Sequence, residues 1–91
     1  MKHSTTTEQN LLHIDRLRTH GAKVRINGEL KEINFFFWDS AVSECIAQGY
    51  NAVMYEMVIP ETDDLMAICI WRDGHVDSGS EHHIFDCMAQ F

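Results

Sequence analysis

Phe35-Phe36-Phe37-Trp38, followed by Asp39-Ser40, is the stretch on which the reading of the fold turns. Four ring-bearing side chains in a row, downstream of the alternating segment Val24-Arg25-Ile26, predict a strand. Successive strand side chains point to opposite faces of a sheet, so this strand would be aromatic on both faces. The helices of a 91-residue chain can cover one side; the other needs a further helix or a second copy of the protein. The run therefore predicts an apolar binding or pairing surface made of Phe35, Phe36, Phe37 and Trp38, with Trp71 as a further aromatic. A two-fold homodimer is the simplest arrangement that buries it.

Working outward, Asp39-Ser40 offers an N-cap pair, and Ala41, Val42, Cys45 and Ile46 form the stripe of a short helix that Gly49 ends. On the other side of the run, Val24 and Ile26 alternate up to Asn27-Gly28, the dipeptide that best tolerates the positive φ angles of a tight hairpin. A two-residue turn would pair Ile26 with Glu29 and Val24 with Lys31. A three-residue loop pairs Ile26 with Leu30 and keeps apolar groups together, so the longer loop is expected, with a bulge near Lys31 or Glu32. Further upstream, Thr5 and Glu8 have the spacing of a capping box. Leu11, Ile14 and Leu17, widened by Leu12, line one side of a helix over about 6–20, with residues 1–5 as a flexible tail and Gly21 as the stop.

Downstream, Val53, Tyr55, Met57 and Ile59 share one face of a strand that Pro60 ends. Leu65 to Trp71 is apolar on both faces, as an interior strand is, and Asp73-Gly74 predicts a turn into a short strand at His75-Val76-Asp77. After Ser78-Gly79-Ser80 the pattern fits helix and strand alike. Ser80 as N-cap and Glu81 in the first turn decide for helix. The order α-β-β-α-β-β-(β)-α defines an α+β class: one two-layer domain over 1–91, with a mainly antiparallel sheet of four to five strands and two to three helices.

Composition bounds the function. Hydrophobic residues make up 45% and charged residues 23%, the balance of a globular chain. The longest apolar runs fall far short of the roughly 20 residues that span a bilayer, and the polar start leads into no apolar signal core. The odd number of cysteines, three, suits a reducing compartment, so a cytoplasmic protein without membrane association is expected. A net charge of −7 argues against general nucleic-acid binding. The charge is uneven: residues 1–31 carry six basic side chains against three acids, and residues 32–91 carry one against eleven.

The densest polar cluster runs from Asp73 to Cys87. Within it, His75 and Asp77 share a strand face and His82 and Asp86 lie one helical turn apart, so the two pairs could converge on one ion; His, Asp and Cys are the ligand types zinc takes. No H-E-x-x-H, C-x-x-C or finger spacing accompanies them. No cofactor is expected apart from a divalent metal at these four residues, and no catalytic residue is assigned. Cys45 and Cys69 fall on core positions, and Cys87 sits among acids that raise a thiol pKa. His13 and His20 share a flank of the first helix, a solvated one, where Arg16 beside them would suit an anion. The glycines are dispersed as turns and caps, with no phosphate-binding loop and no G-x-S-x-G elbow. The functional expectation is a small non-enzymatic module that acts as a homodimer and binds a protein partner or a small apolar ligand. The alternatives are an acidic mimic of nucleic acid that occupies a basic groove and a small metal-dependent enzyme built on the His75 to Asp86 cluster.

Overall fold

The computed structural model describes residues 5–90; residues 1–4 and 91, and with them most of the expected tail, lie outside it. Among the described residues three helices and five strands follow one another as α1 Thr7–Thr19, β1 Lys23–Ile26, β2 Glu29–Glu32, α2 Phe35–Gln48, β3 Ala52–Val58, β4 Met66–Trp71, β5 Val76–Ser80 and α3 Glu81–Ala89. This is the expected α+β order with the fifth strand present. The sheet is antiparallel throughout, in the order β2-β1-β3-β4-β5. β2 and β3 therefore run parallel with β1 between them, and α2 makes the crossover.

The aromatic run is the main correction. Phe35 to Trp38 is not a strand but the first turn of α2, a helix of 14 residues rather than a short one, and Asp39-Ser40 lies inside it. Asn34 is the N-cap: its side chain accepts from the Phe37 amide at 3.0 Å. Gly49, at φ +74, closes the far end in the left-handed conformation. Side chains four residues apart stack on one helical face, so Phe37 continues the stripe of Ala41 and Cys45, and all three are buried. A helix spreads four rings over its circumference where a strand would split them between two faces. Phe37 and half-buried Trp38 turn inward; Phe35 and Phe36 stay 50% and 76% exposed.

The hairpin is the second correction. Asn27 at φ +52 and Gly28 at φ +83 form a two-residue turn, and the register is Ile26 with Glu29, Val24 with Lys31 and Lys23 with Glu32, without a bulge. All four residues of β2 are exposed. A strand with no core face gains nothing from matching Ile26 to Leu30, so turn chemistry sets the register. The capping box of α1 also lies one residue along. Thr6 accepts from the Gln9 amide and the Gln9 side chain accepts from the Thr6 amide, while Thr5 bonds His75 instead. At the other end, Ser80 caps α3 as expected by accepting from the His83 amide at 3.2 Å.

Because strand side chains alternate, β4 divides its residues between two apolar clusters. Ile68 and Ile70 face α1 and α2, where they join Ile14, Val24, Phe37 and Met57. Ala67, Cys69 and Trp71 face the reverse side and pack with Ile84 of α3. The sheet with α1 and α2 makes the two-layer body, and α3 covers the β4–β5 part of the reverse face. Burying a side chain such as Ile68 or Phe37 contributes about 1.5–3 kcal/mol. Among the described residues no helix is long and apolar enough to cross a membrane.

Candidate functional site

Two places bring functional side chains together. The first is a groove of about 830 Å³ between α2 and the β1–β2 hairpin. Its position follows from the two corrections above: the Asn34 cap starts α2 beside the hairpin, and the two-residue turn leaves β2 as an exposed strip. Phe36, Phe37 and Tyr55 supply aromatic walls, and Lys31, Glu32 and Glu44 supply charge at the rim. Tyr55 shares the α2-facing side of β3 with Val53 and Met57 and meets Phe37 edge to face, ring centres 5.4 Å apart and planes at 69°. Burial and the nearby Glu44 carboxylate push the Tyr55 phenol above its ordinary pKa, so the hydroxyl keeps its proton and stays a hydrogen-bond donor. Lys31 lies 3.6 Å from Glu29 on the same face of β2. Among the described residues, no cation stands within ion-pair distance of Glu44.

The second place is the β4–β5 turn. His75 Nε2 lies 3.0 Å from one carboxylate oxygen of Asp77, and the Trp71 indole donates to the other at 2.8 Å. His75 Nδ1 lies 2.9 Å from the Thr5 hydroxyl, and the His75 amide donates to Asp73. On α3, His82 and Asp86 pair at 3.5 Å across one turn, with His82 90% exposed. The structure thus forms both expected pairs. It does not join them into one ligand set: among the described residues no three His, Cys, Asp or Glu side chains gather where they could hold an ion. His75 and Asp77 instead brace Trp71 and the start of α1.

The remaining sequence-singled residues divide clearly. Of the proposed surface, Phe35 and Phe36 are exposed, Phe37 is buried, Trp38 is half-buried with its indole donating to the Gly74 carbonyl at 2.8 Å, and Trp71 is 4% exposed inside the reverse-face cluster. Trp71 is therefore a core residue and not part of a surface. Cys45 and Cys69 are buried, and burial followed by the Asp77 charge pushes the Cys69 thiol up to about 12. Cys87 lies 3.6 Å from His83 Nε2, yet burial, Asp77 and Asp86 raise its pKa, the opposite of what a nucleophile needs. His13 leaves the solvated flank assigned to it and turns toward β5, with Nε2 2.7 Å from the Ser78 hydroxyl. Its pKa falls, chiefly through burial.

The sequence marks Phe36, Phe37 and Tyr55 as aromatic contact area and gives no sign that Glu44 or Lys31 joins them. Glu44, Tyr55 and Lys31 lie on a helix, a strand and a hairpin, and no spacing in the chain announces that they meet. Comparison with protein-family models, curated proteins and solved structures returns no match.

Proposed function

We propose that the protein is a non-enzymatic binding module that works as a homodimer and takes a cationic group, carried on an apolar or aromatic body, into the groove between α2 and the β1–β2 hairpin. The carrying observation is the Glu44 carboxylate, without a cationic partner among the described residues, standing beside Tyr55 at a groove walled by Phe36 and Phe37. Aromatic faces attract cations by about 0.5–1 kcal/mol at exposed sites and about 2 kcal/mol when water is excluded. The rings also offer area to the apolar body, and the carboxylate selects the sign of the charge. The same chemistry belongs to a small arylalkyl amine and to a basic side chain flanked by an apolar one in a partner protein.

Calorimetric titration separates these cases. Phenethylammonium is expected to bind and phenylpropionate is not. Glu44→Gln should reduce the discrimination, and Phe36→Ala should weaken binding by about 2–5-fold. An arginine-phenylalanine peptide that binds more tightly than the amine assigns the groove to a protein partner; the reverse order assigns it to a small ligand. Equal affinity for both charges, or no binding of either cation at millimolar concentration, overturns the reading.

A further inference from the structure

Among the described residues the sheet ends at β2, and β1 is its one strand neighbour. Its four residues, Glu29-Leu30-Lys31-Glu32, are all exposed, and Leu30 is 50% exposed although apolar. We propose that β2 is the seam of the homodimer, pairing antiparallel with β2 of a second copy in a register centred on Leu30, so that two five-stranded sheets join into one of ten strands. The inference rests on the homodimer reading above and names where the second copy sits.

Hydrogen-bond direction selects the centre. A two-residue turn makes Ile26 and Glu29 the hydrogen-bonded pair that closes the hairpin. Antiparallel ladders alternate, so Arg25 and Leu30 form the next, non-hydrogen-bonded pair. The N–H and C=O of Leu30 therefore point away from β1, and those of Glu32 do as well. In a two-fold pair centred on Leu30, each Leu30 amide donates to the other copy's Leu30 carbonyl, and the two leucine side chains meet on the reverse face of the sheet.

Charge selects the same centre. Residues directly opposite on neighbouring strands interact, favourably for opposite charges and unfavourably for like ones. With Leu30 opposite Leu30, Glu29 of each copy faces Lys31 of the other, twice. A centre on Lys31 sets lysine against lysine at positions whose backbone groups already serve β1. A centre between Leu30 and Lys31 sets Glu29 against Glu32, twice. Charged residues on an edge strand ordinarily repel foreign strands; here their signs alternate so that the strand complements itself in one register. The second copy's Glu29 would also hold Lys31 at the groove rim, leaving the carboxylates of Glu32 and Glu44 to set its charge.

The test is light scattering over a concentration series with wild type, Lys31→Glu and the doubly exchanged Glu29→Lys/Lys31→Glu. Wild type is expected to dimerise, Lys31→Glu to dissociate at least about tenfold more readily, and the double variant to recover, because the exchange restores both opposed pairs. Circular dichroism of each variant, expected to match wild type because β2 is exposed, keeps a folding defect from passing as dissociation. A wild-type dimer indifferent to Lys31→Glu overturns this seam and leaves the homodimer reading standing. A double variant that stays dissociated overturns the register. A wild type that remains monomeric throughout overturns the seam and the homodimer reading together, while the titrations above judge the groove separately.

Discussion

β4 and β2 belong to one sheet and stand at opposite extremes of exposure. From Ala67 to Trp71 every residue of β4 is buried, with apolar neighbours on both faces and a strand on each side. Every residue of β2 is exposed, and among the described residues one strand flanks it. The contrast follows from side-chain character. A strand apolar on both sides is stable only where both are covered, and one with charges at three of four positions is stable only where water reaches it. The interior strand supplies the stability, and the edge, which contributes little to it, is free to carry recognition.

Four measurements sharpen or break this contrast. The largest effect is expected for Ile68→Ala, which opens a cavity at a side chain with 0% exposure in the α1–α2 core. It should cost about 2–5 kcal/mol, read from the urea midpoint. A loss below about 1 kcal/mol would mean that β4 is not the stabilising strand. Next comes Gly74→Ala in the turn after β4. Gly74 has φ +94, and a Cβ there would lie 2.9 Å from Cζ2 of Trp38, whose indole donates to the Gly74 carbonyl. The cost should be about 1–3 kcal/mol, with a shifted tryptophan emission as the indole is displaced.

A smaller effect concerns pH. His13 packs against Ser78 of β5 with a pKa lowered mainly by burial, so the folded protein binds fewer protons there than the unfolded chain. The stability this histidine allows is full above its ordinary value of about 6.5 and is lost as pH falls through that value toward the lower folded one. Wild type should lose more stability than His13→Gln between pH 8 and pH 5; equal losses would show that the contact with β5 does not titrate. The smallest effect is expected for Leu30→Ala on the exposed edge, within about 0.5 kcal/mol of wild type when measured in dilute solution. A cost comparable to that of Ile68→Ala would erase the contrast between the two strands.

Much of the fold was legible in short-range signals. Asn27-Gly28 announced the hairpin, Ser80 the start of α3, and the uninterrupted apolar run from Leu65 an interior strand. The aromatic run is ambiguous because four consecutive rings fit a doubly covered strand as well as a helix turn. Asn34 as a cap and the spacing of Phe37, Ala41 and Cys45 are the local clues to the helix, and four bulky aromatics following a hairpin outweigh them. The hairpin register departs from apolar matching for a different reason: β2 has no buried face for such matching to serve. Of the groove, the aromatic members drew notice as greasy side chains. Glu44 and Lys31 did not, because charged residues on a helix and on an edge strand look like ordinary surface positions in a sequence.

By itself the amino-acid order determined which elements form and in what succession, and it marked Cys45 and Cys69 as core residues, since these depend on capping, turn chemistry and periodicity within a few residues. Only the tertiary structure decided which rings stay in water, that Trp71 is braced by Asp77 and His75, and that α2 and the hairpin leave a cleft between them. The physical reason is that burial and charge pairing depend on what stands opposite in space. For Phe36, Glu44 and Tyr55 those neighbours come from a hairpin, a helix and a strand that meet only when the sheet is assembled.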